Sequence, residues 1–151
     1  MSGICGIVRF DGAAASPADL DRMMRALLHL GPDRTETWHD GVCAMGVLTM
    51  RVTHEDEFDL QPLHHGSLSF VSDARLDNRE ELAAALGVGE AALAGMADGA
   101  LLFAAWREWG EGCVDRMIGD FVFAAWDGAA RRLVLGRDHM GQRHVMFHQG
   151  E

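Results

Sequence analysis

The sequence predicts an α+β fold in which antiparallel strand pairs are combined with amphipathic helices. The strand pairs are indicated by two hairpin turns, Asp40-Gly41 and Asp127-Gly128, each set between segments rich in apolar residues. A helix is indicated from residue 16 to 28, because Ser16 is a favoured cap, Pro17 suits the first helical position and apolar residues recur at helical spacing. At 151 residues the chain has the length of one domain with a sizeable core.

The other elements follow in chain order. An apolar run with β-branched residues begins at Ile4 and predicts a buried strand near the start of the chain. The first helix is expected to bury one face, formed by five apolar side chains: Leu20, Met23, Met24, Leu27 and Leu28. Further strands are expected at residues 35–39, 42–53, 67–72, 121–126 and 132–137, further helices at 78–86 and 99–109, and an acidic loop at 55–59.

Composition argues against several classes of function. A formal charge of −10, from 13 basic and 23 acidic side chains, is unfavourable for a nucleic-acid or anionic-membrane surface. The sequence has no 18-residue apolar run and no signal-like start, so we expect a cytoplasmic protein without a membrane partner. Three widely spaced cysteines give no disulfide framework, and eight histidines show no ligand pair at helical spacing, so no metal site is expected.

The first residues of the chain include a candidate catalytic nucleophile. Chain ends commonly fray, so a strand that begins almost at the terminus indicates that the terminus itself is used. If Met1 is removed, as expected before a small residue, Ser2 carries both a free α-amino group and a hydroxyl. This is the layout of an N-terminal nucleophile enzyme, in which the amine acts as base for the adjacent side chain. Cys5 lies inside the strand without a free amine, and a small buried core residue explains it better than a second nucleophile.

The opening Ser2-Gly3-Ile4-Cys5-Gly6-Ile7 resembles the Cys-Gly-Ile-x-Gly-Ile start of class II glutamine amidotransferase domains, specifically those that lead asparagine-synthetase-like enzymes. Later stretches resemble the same family, at residues 29–33, 61–63, 73–82, 110–126 and 136–141. The resemblance implies a four-layer αββα sandwich of the N-terminal-nucleophile type, with two mostly antiparallel sheets flanked by helices. It also implies that residues 1–151 are an amidotransferase-like domain, incomplete at its C-terminal end, whose synthetase domain lies elsewhere.

The resemblance assigns candidate catalytic positions. In the family the first cysteine attacks the side-chain amide of glutamine, and Ser2 occupies that position as candidate nucleophile. A serine hydroxyl depends wholly on its base, whereas a thiol gives a useful thiolate fraction near neutrality. Asp73 and Ala74 occupy the positions of an asparagine and a glycine that donate hydrogen bonds to the oxyanion. An ionised Asp73 only accepts hydrogen bonds and would repel the oxyanion, while Ala74 can offer its N–H if its φ is not positive.

Two further positions are candidates for binding glutamine. Arg51 matches the family arginine that pairs with the α-carboxylate, although its register is one or two positions off, and a solvated surface arginine is the alternative. Asp98 matches the aspartate that binds the α-amino group, and a helix N-cap is the alternative. We keep both alternatives open at each position.

Two hypotheses about function follow from the resemblance. In the first, glutaminase chemistry is impaired at Ser2 and Asp73, and the domain scaffolds or positions a peptide substrate, as in lasso peptide cyclases. In the second, the domain hydrolyses glutamine with Ser2 as nucleophile and supplies ammonia to an asparagine synthetase. Both imply a C-terminal ATP-dependent synthetase domain as partner, which would use ATP and Mg, and no cofactor in the domain that binds glutamine or peptide.

Overall fold

The computed structural model describes residues 2–150, so Met1 and Glu151 lie outside the described range. Within that range, seven strands form two antiparallel sheets. The strands are β1 (Gly3–Val8), β2 (Arg34–Asp40), β3 (Cys43–Thr49), β4 (Leu63–His65), β5 (Leu68–Leu76), β6 (Gly119–Asp127) and β7 (Arg132–Arg137). One sheet has the order β1-β3-β2, and the other has the order β4-β5-β6-β7.

Helices connect and cover the sheets. They are α1 (Pro17–Leu27), α2 (Arg79–Ala85), α3 (Glu90–Leu93) and α4 (Asp98–Trp109), with 3-10 helices at Glu55–Phe58 and Gly110–Arg116. The predicted start of α1 is confirmed, because the Ser16 hydroxyl accepts a hydrogen bond from the Asp19 backbone N–H at 3.2 Å. In the described part of the chain, no helix combines the length and apolar character needed to cross a membrane.

The sheets pack face to face between two layers of helices. Met45 and Val47 of β3 contact Val71 of β5 and Trp126 of β6 in the space between the sheets. On the outer face of the three-stranded sheet, Leu20 of α1 packs against β3. On the outer face of the four-stranded sheet, α2 and α4 cover a core rich in phenylalanine. The predicted four-layer αββα arrangement is therefore confirmed, and burial of these apolar faces is its main source of stability.

Several local predictions need correction. β1 is a half-buried edge strand rather than a buried one, because only β3 pairs with it. β3 is buried along its whole length because it is the central strand, and it ends at Thr49 rather than at residue 53. The acidic segment is a short 3-10 helix, whose Asp56 carboxylate accepts hydrogen bonds from the Val52 and Thr53 backbone N–H groups.

The buried face of α1 is also narrower than predicted. Leu20 and Met24 are buried, but Met23 and Leu28 are substantially exposed. Two short elements were missed altogether, namely β4 and α3. Both have only three or four residues, too few for a hydrophobic period to be recognised.

Gly31 marks a close approach between the end of the first helical segment and β3. We expect Gly31→Ala to lower the free energy of unfolding by about 2 kcal/mol, because an added Cβ would overlap the Leu48 carbonyl of the central strand. Gly89→Ala is a matched control, because a Cβ there meets no atom within 4 Å. Chemical denaturation compares the three proteins, and similar losses in both variants would contradict the steric explanation.

Candidate active site

Four of the five predicted site residues line one polar cleft. Ser2 lies just before β1, Asp73 and Ala74 lie in β5, and Asp98 is the first residue of α4. The cleft is therefore built from both sheets and the start of one outer helix. Its wall also includes Arg143, from the segment that follows β7.

Ser2 is held by two contacts from opposite sheets. Its Oγ accepts a hydrogen bond of 3.0 Å from the backbone N–H of Met50, which follows β3. Its backbone N donates a hydrogen bond of 3.1 Å to Oδ1 of Asp73 in β5. These contacts fix both the hydroxyl and the nitrogen that would be the α-amine of a processed chain.

Asp73 is a buried carboxylate at the centre of this arrangement. Its residue is only 7% exposed, and Oδ2 lies 3.2 Å from Nη1 of Arg143. Burial raises the pKa of Asp73, and the Arg143 guanidinium and the hydrogen bond from Ser2 oppose that rise. The position assigned to an oxyanion donor thus holds an acceptor that is paired with a cation.

Sequence reasoning missed Arg143. The turn that carries it is organised by Asp138, whose carboxylate accepts hydrogen bonds of 2.8 Å from the backbone N–H groups of Gln142 and Arg143. Burial acts to raise the pKa of Asp138, and these backbone hydrogen bonds outweigh it and lower that pKa. The resemblance at residues 136–141 indicated the turn, but nothing local indicated that the chain beyond it returns to the cleft. The Nε atom of Arg143 is buried and has no hydrogen-bond partner within residues 2–150.

Ala74 meets the condition set for an N–H donor. It is a half-buried residue of β5 and pairs with Phe121 of β6 in extended backbone. Among the described residues its φ is not positive, so replacement of glycine by alanine carries no backbone strain here.

Asp98 is engaged in an interaction that the sequence did not indicate. Its carboxylate is paired with the Arg79 guanidinium and accepts a hydrogen bond of 2.9 Å from the Leu76 backbone N–H. Arg79 also donates to the carbonyls of Leu93 and Met96, at 3.2 and 2.7 Å. The alternative of a helix N-cap does not hold, because the cap position is Ala97. Amine binding by Asp98 stays a prediction, and an incoming amine would share the carboxylate with Arg79.

Arg51 lies apart from this group. It follows the end of β3, is exposed, and is not among the residues that line the cleft. Its backbone N–H donates to Oδ2 of Asp33 at 2.8 Å. Its proposed pairing with an α-carboxylate stays a prediction.

Cys5 is poorly suited to replace the serine as nucleophile. Its Sγ lies 3.3 Å from Sδ of Met24 beneath α1, and burial raises the pKa of the thiol to about 11. In residues 2–150, no three histidine, cysteine or acidic side chains are grouped so that they could hold a metal ion.

The chain is similar to known proteins along almost its whole length. The model of the glutamine amidotransferase domain family matches residues 1–151. A putative glutamine-hydrolyzing asparagine synthetase of Mycobacterium bovis is 29% identical, over 99% of this chain and 26% of its own length. Glutamine-hydrolyzing asparagine synthetase 3 of Bacillus subtilis is 30% identical over 97% of this chain and 25% of its own length. The amidase chry2 of Gibberella zeae is 24% identical over 97% of this chain. The chain spans about a quarter of the length of the curated relatives it matches.

Proposed function

Since the chain belongs to the glutamine amidotransferase domain family, we propose that it is the amidotransferase-like domain of an ATP-dependent, asparagine-synthetase-type amide-forming ligase. We propose further that its own glutaminase chemistry is impaired. Its role is then to scaffold the ligase or to position a substrate for it. A peptide substrate that supplies its own amine, as in lasso peptide cyclisation, would remove the need for ammonia.

The observation that carries the proposal is the charge at Asp73. A tetrahedral intermediate formed on Ser2 would develop negative charge beside a buried carboxylate that can only accept hydrogen bonds when ionised. Loss of one oxyanion donor commonly raises the activation barrier by about 2.7–4 kcal/mol, and a negative charge in its place adds repulsion. The Arg143 guanidinium is already paired with Asp73, so it offsets this repulsion only in part.

The alternative is a functional glutaminase in which Ser2 is the nucleophile. In its favour, Ser2 and Ala74 both line the cleft, and the backbone at Ala74 has no positive φ that alanine would resist. Ammonia would then pass to an activated carboxylate on the synthetase domain, and that domain would require ATP and Mg.

Ammonia release from glutamine by the full-length protein tests the proposal. We expect wild type to release no more ammonia than Ser2→Ala, because the hydroxyl lacks a productive oxyanion site. A Cys5→Ala variant serves as control for any thiol-dependent background. Wild-type turnover that disappears in Ser2→Ala and persists in Cys5→Ala would overturn the proposal and establish the alternative.

A further inference from the structure

We propose that, after removal of Met1, Asp73 binds the α-amino group of Ser2 as an ammonium ion and thereby removes the base that an N-terminal nucleophile requires. Asp73 is then a positioning residue with two effects, one on the oxyanion and one on the amine. The inference deepens the proposed function and rests on it, because it gives a second reason why glutamine is not hydrolysed.

The geometry places the nitrogen and the carboxylate in direct contact. The Ser2 N and Asp73 Oδ1 are 3.1 Å apart, which is a hydrogen-bond distance. When the peptide bond to Met1 is cleaved, this same nitrogen becomes the α-amine. A carboxylate at this distance favours the charged form of an amine and raises its pKa.

The other charged groups of the cleft leave this contact as the dominant one. They are Asp56, Asp59, Arg75, Asp98 and Arg143. Asp98 is paired with Arg79, and Arg75 is paired with Asp77 outside the cleft. Asp56 accepts two backbone hydrogen bonds, and Asp59 accepts one from Gln61 Nε2 at 3.1 Å while burial raises its pKa.

Arg143 favours the ionised form of Asp73 from the other side. It binds Oδ2, while Ser2 binds Oδ1, so the carboxylate lies between two cationic groups in the processed chain. Two cations around one carboxylate favour ionisation at neutral pH. A protonated amine has no lone pair with which to accept the Ser2 hydroxyl proton. The hydroxyl is therefore not activated as a nucleophile.

The test is a titration of the Ser2 α-amine in the full-length protein. The rate of its acylation is measured from pH 6 to 10, and the modified N-terminal peptide is quantified by mass spectrometry. We expect a midpoint at least about one pH unit above the ordinary α-amine range of roughly 7.7–8.0. Limited access to the cleft lowers the plateau of the rate without moving the midpoint, and burial alone would move the midpoint downward.

Two variants complete the test. Asp73→Asn is expected to lower the midpoint by about one unit or more, which increases the free-amine fraction near neutrality about tenfold. Asp77→Asn is the matched control, because Asp77 is an exposed carboxylate paired with Arg75, and its midpoint should equal that of wild type. An ordinary midpoint in wild type, or retention of Met1 in the purified protein, would overturn the inference. Neither result depends on ammonia release, so each is distinct from failure of the proposed function.

Discussion

The Ser2→Cys, Asp73→Asn double variant of the full-length protein is expected to release ammonia from glutamine at least about 100-fold faster than Ser2→Cys alone. The cysteine supplies a thiol with an accessible thiolate form, and the asparagine supplies a neutral donor where the oxyanion develops. One such donor is commonly worth about 100- to 1,000-fold in kcat. The same substitution frees the α-amine to act as base, so both defects are corrected by one change at Asp73.

A matched control tests whether the gain is specific to position 73. Ser2→Cys combined with Asp77→Asn is the control for adding an asparagine elsewhere, and it should behave like Ser2→Cys. Ammonia is measured by a coupled assay with ATP and acceptor omitted, so that only hydrolysis contributes. Equal rates for the double variant and for Ser2→Cys would mean that Asp73 is not the obstacle, and the impaired-glutaminase explanation would then lose its main support.

Arg79→Met is expected to lower the free energy of unfolding by about 3 kcal/mol. The side chains of Arg79 and Asp98 are only 17% and 16% exposed, so the substitution leaves a largely buried carboxylate without its cation. It also leaves the Leu93 and Met96 carbonyls without their guanidinium donor. Because these carbonyls belong to the end of α3 and to the segment that leads into α4, the loss should loosen the start of α4, where Asp98 lines the cleft.

Arg75→Met is the matched control for this prediction. Arg75 lies four residues earlier, and its pair with Asp77 is exposed, at 61% and 48% for the two side chains. Surface pairs of this kind contribute little because solvent screens them, so we expect no measurable change in the free energy of unfolding. Urea denaturation of wild type and of both variants measures the free energy of unfolding of each protein. A loss of similar size in each would contradict the expectation that breaking the buried Arg79–Asp98 pair costs more than breaking an exposed pair.

The fold was accessible from the sequence because its signals are local and repeated. The Ser16 cap with Pro17 marks the start of α1, and the segments around residues 121–137 give the β6-β7 hairpin within a few residues of its observed limits. The order of the four layers was predicted from the family resemblance. The match to the family model confirms that resemblance. Burial was harder to predict, because exposure of Met23 and the edge position of β1 depend on which neighbouring elements are present.

The site was predicted only where residues sit in recognisable stretches. Ser2, Asp73, Ala74 and Asp98 come together as the resemblance implies. The pairing of Asp73 with Arg143 joins residues 70 positions apart, and no pattern in the charges indicates it. Arg79 lies at the start of the helix predicted at residues 78–86, and its pairing with Asp98 depends on how α2 packs against α4.

The two anchors on Ser2 have a practical consequence for recombinant work. An affinity tag or fusion partner joined directly ahead of Ser2 would leave an amide, not a free amine, at the nitrogen that donates to Asp73 in the cleft wall. Such a protein could not form the ammonium pair with Asp73. Kinetic and binding comparisons therefore require a native start, with purification handles attached at the opposite end of the full-length polypeptide.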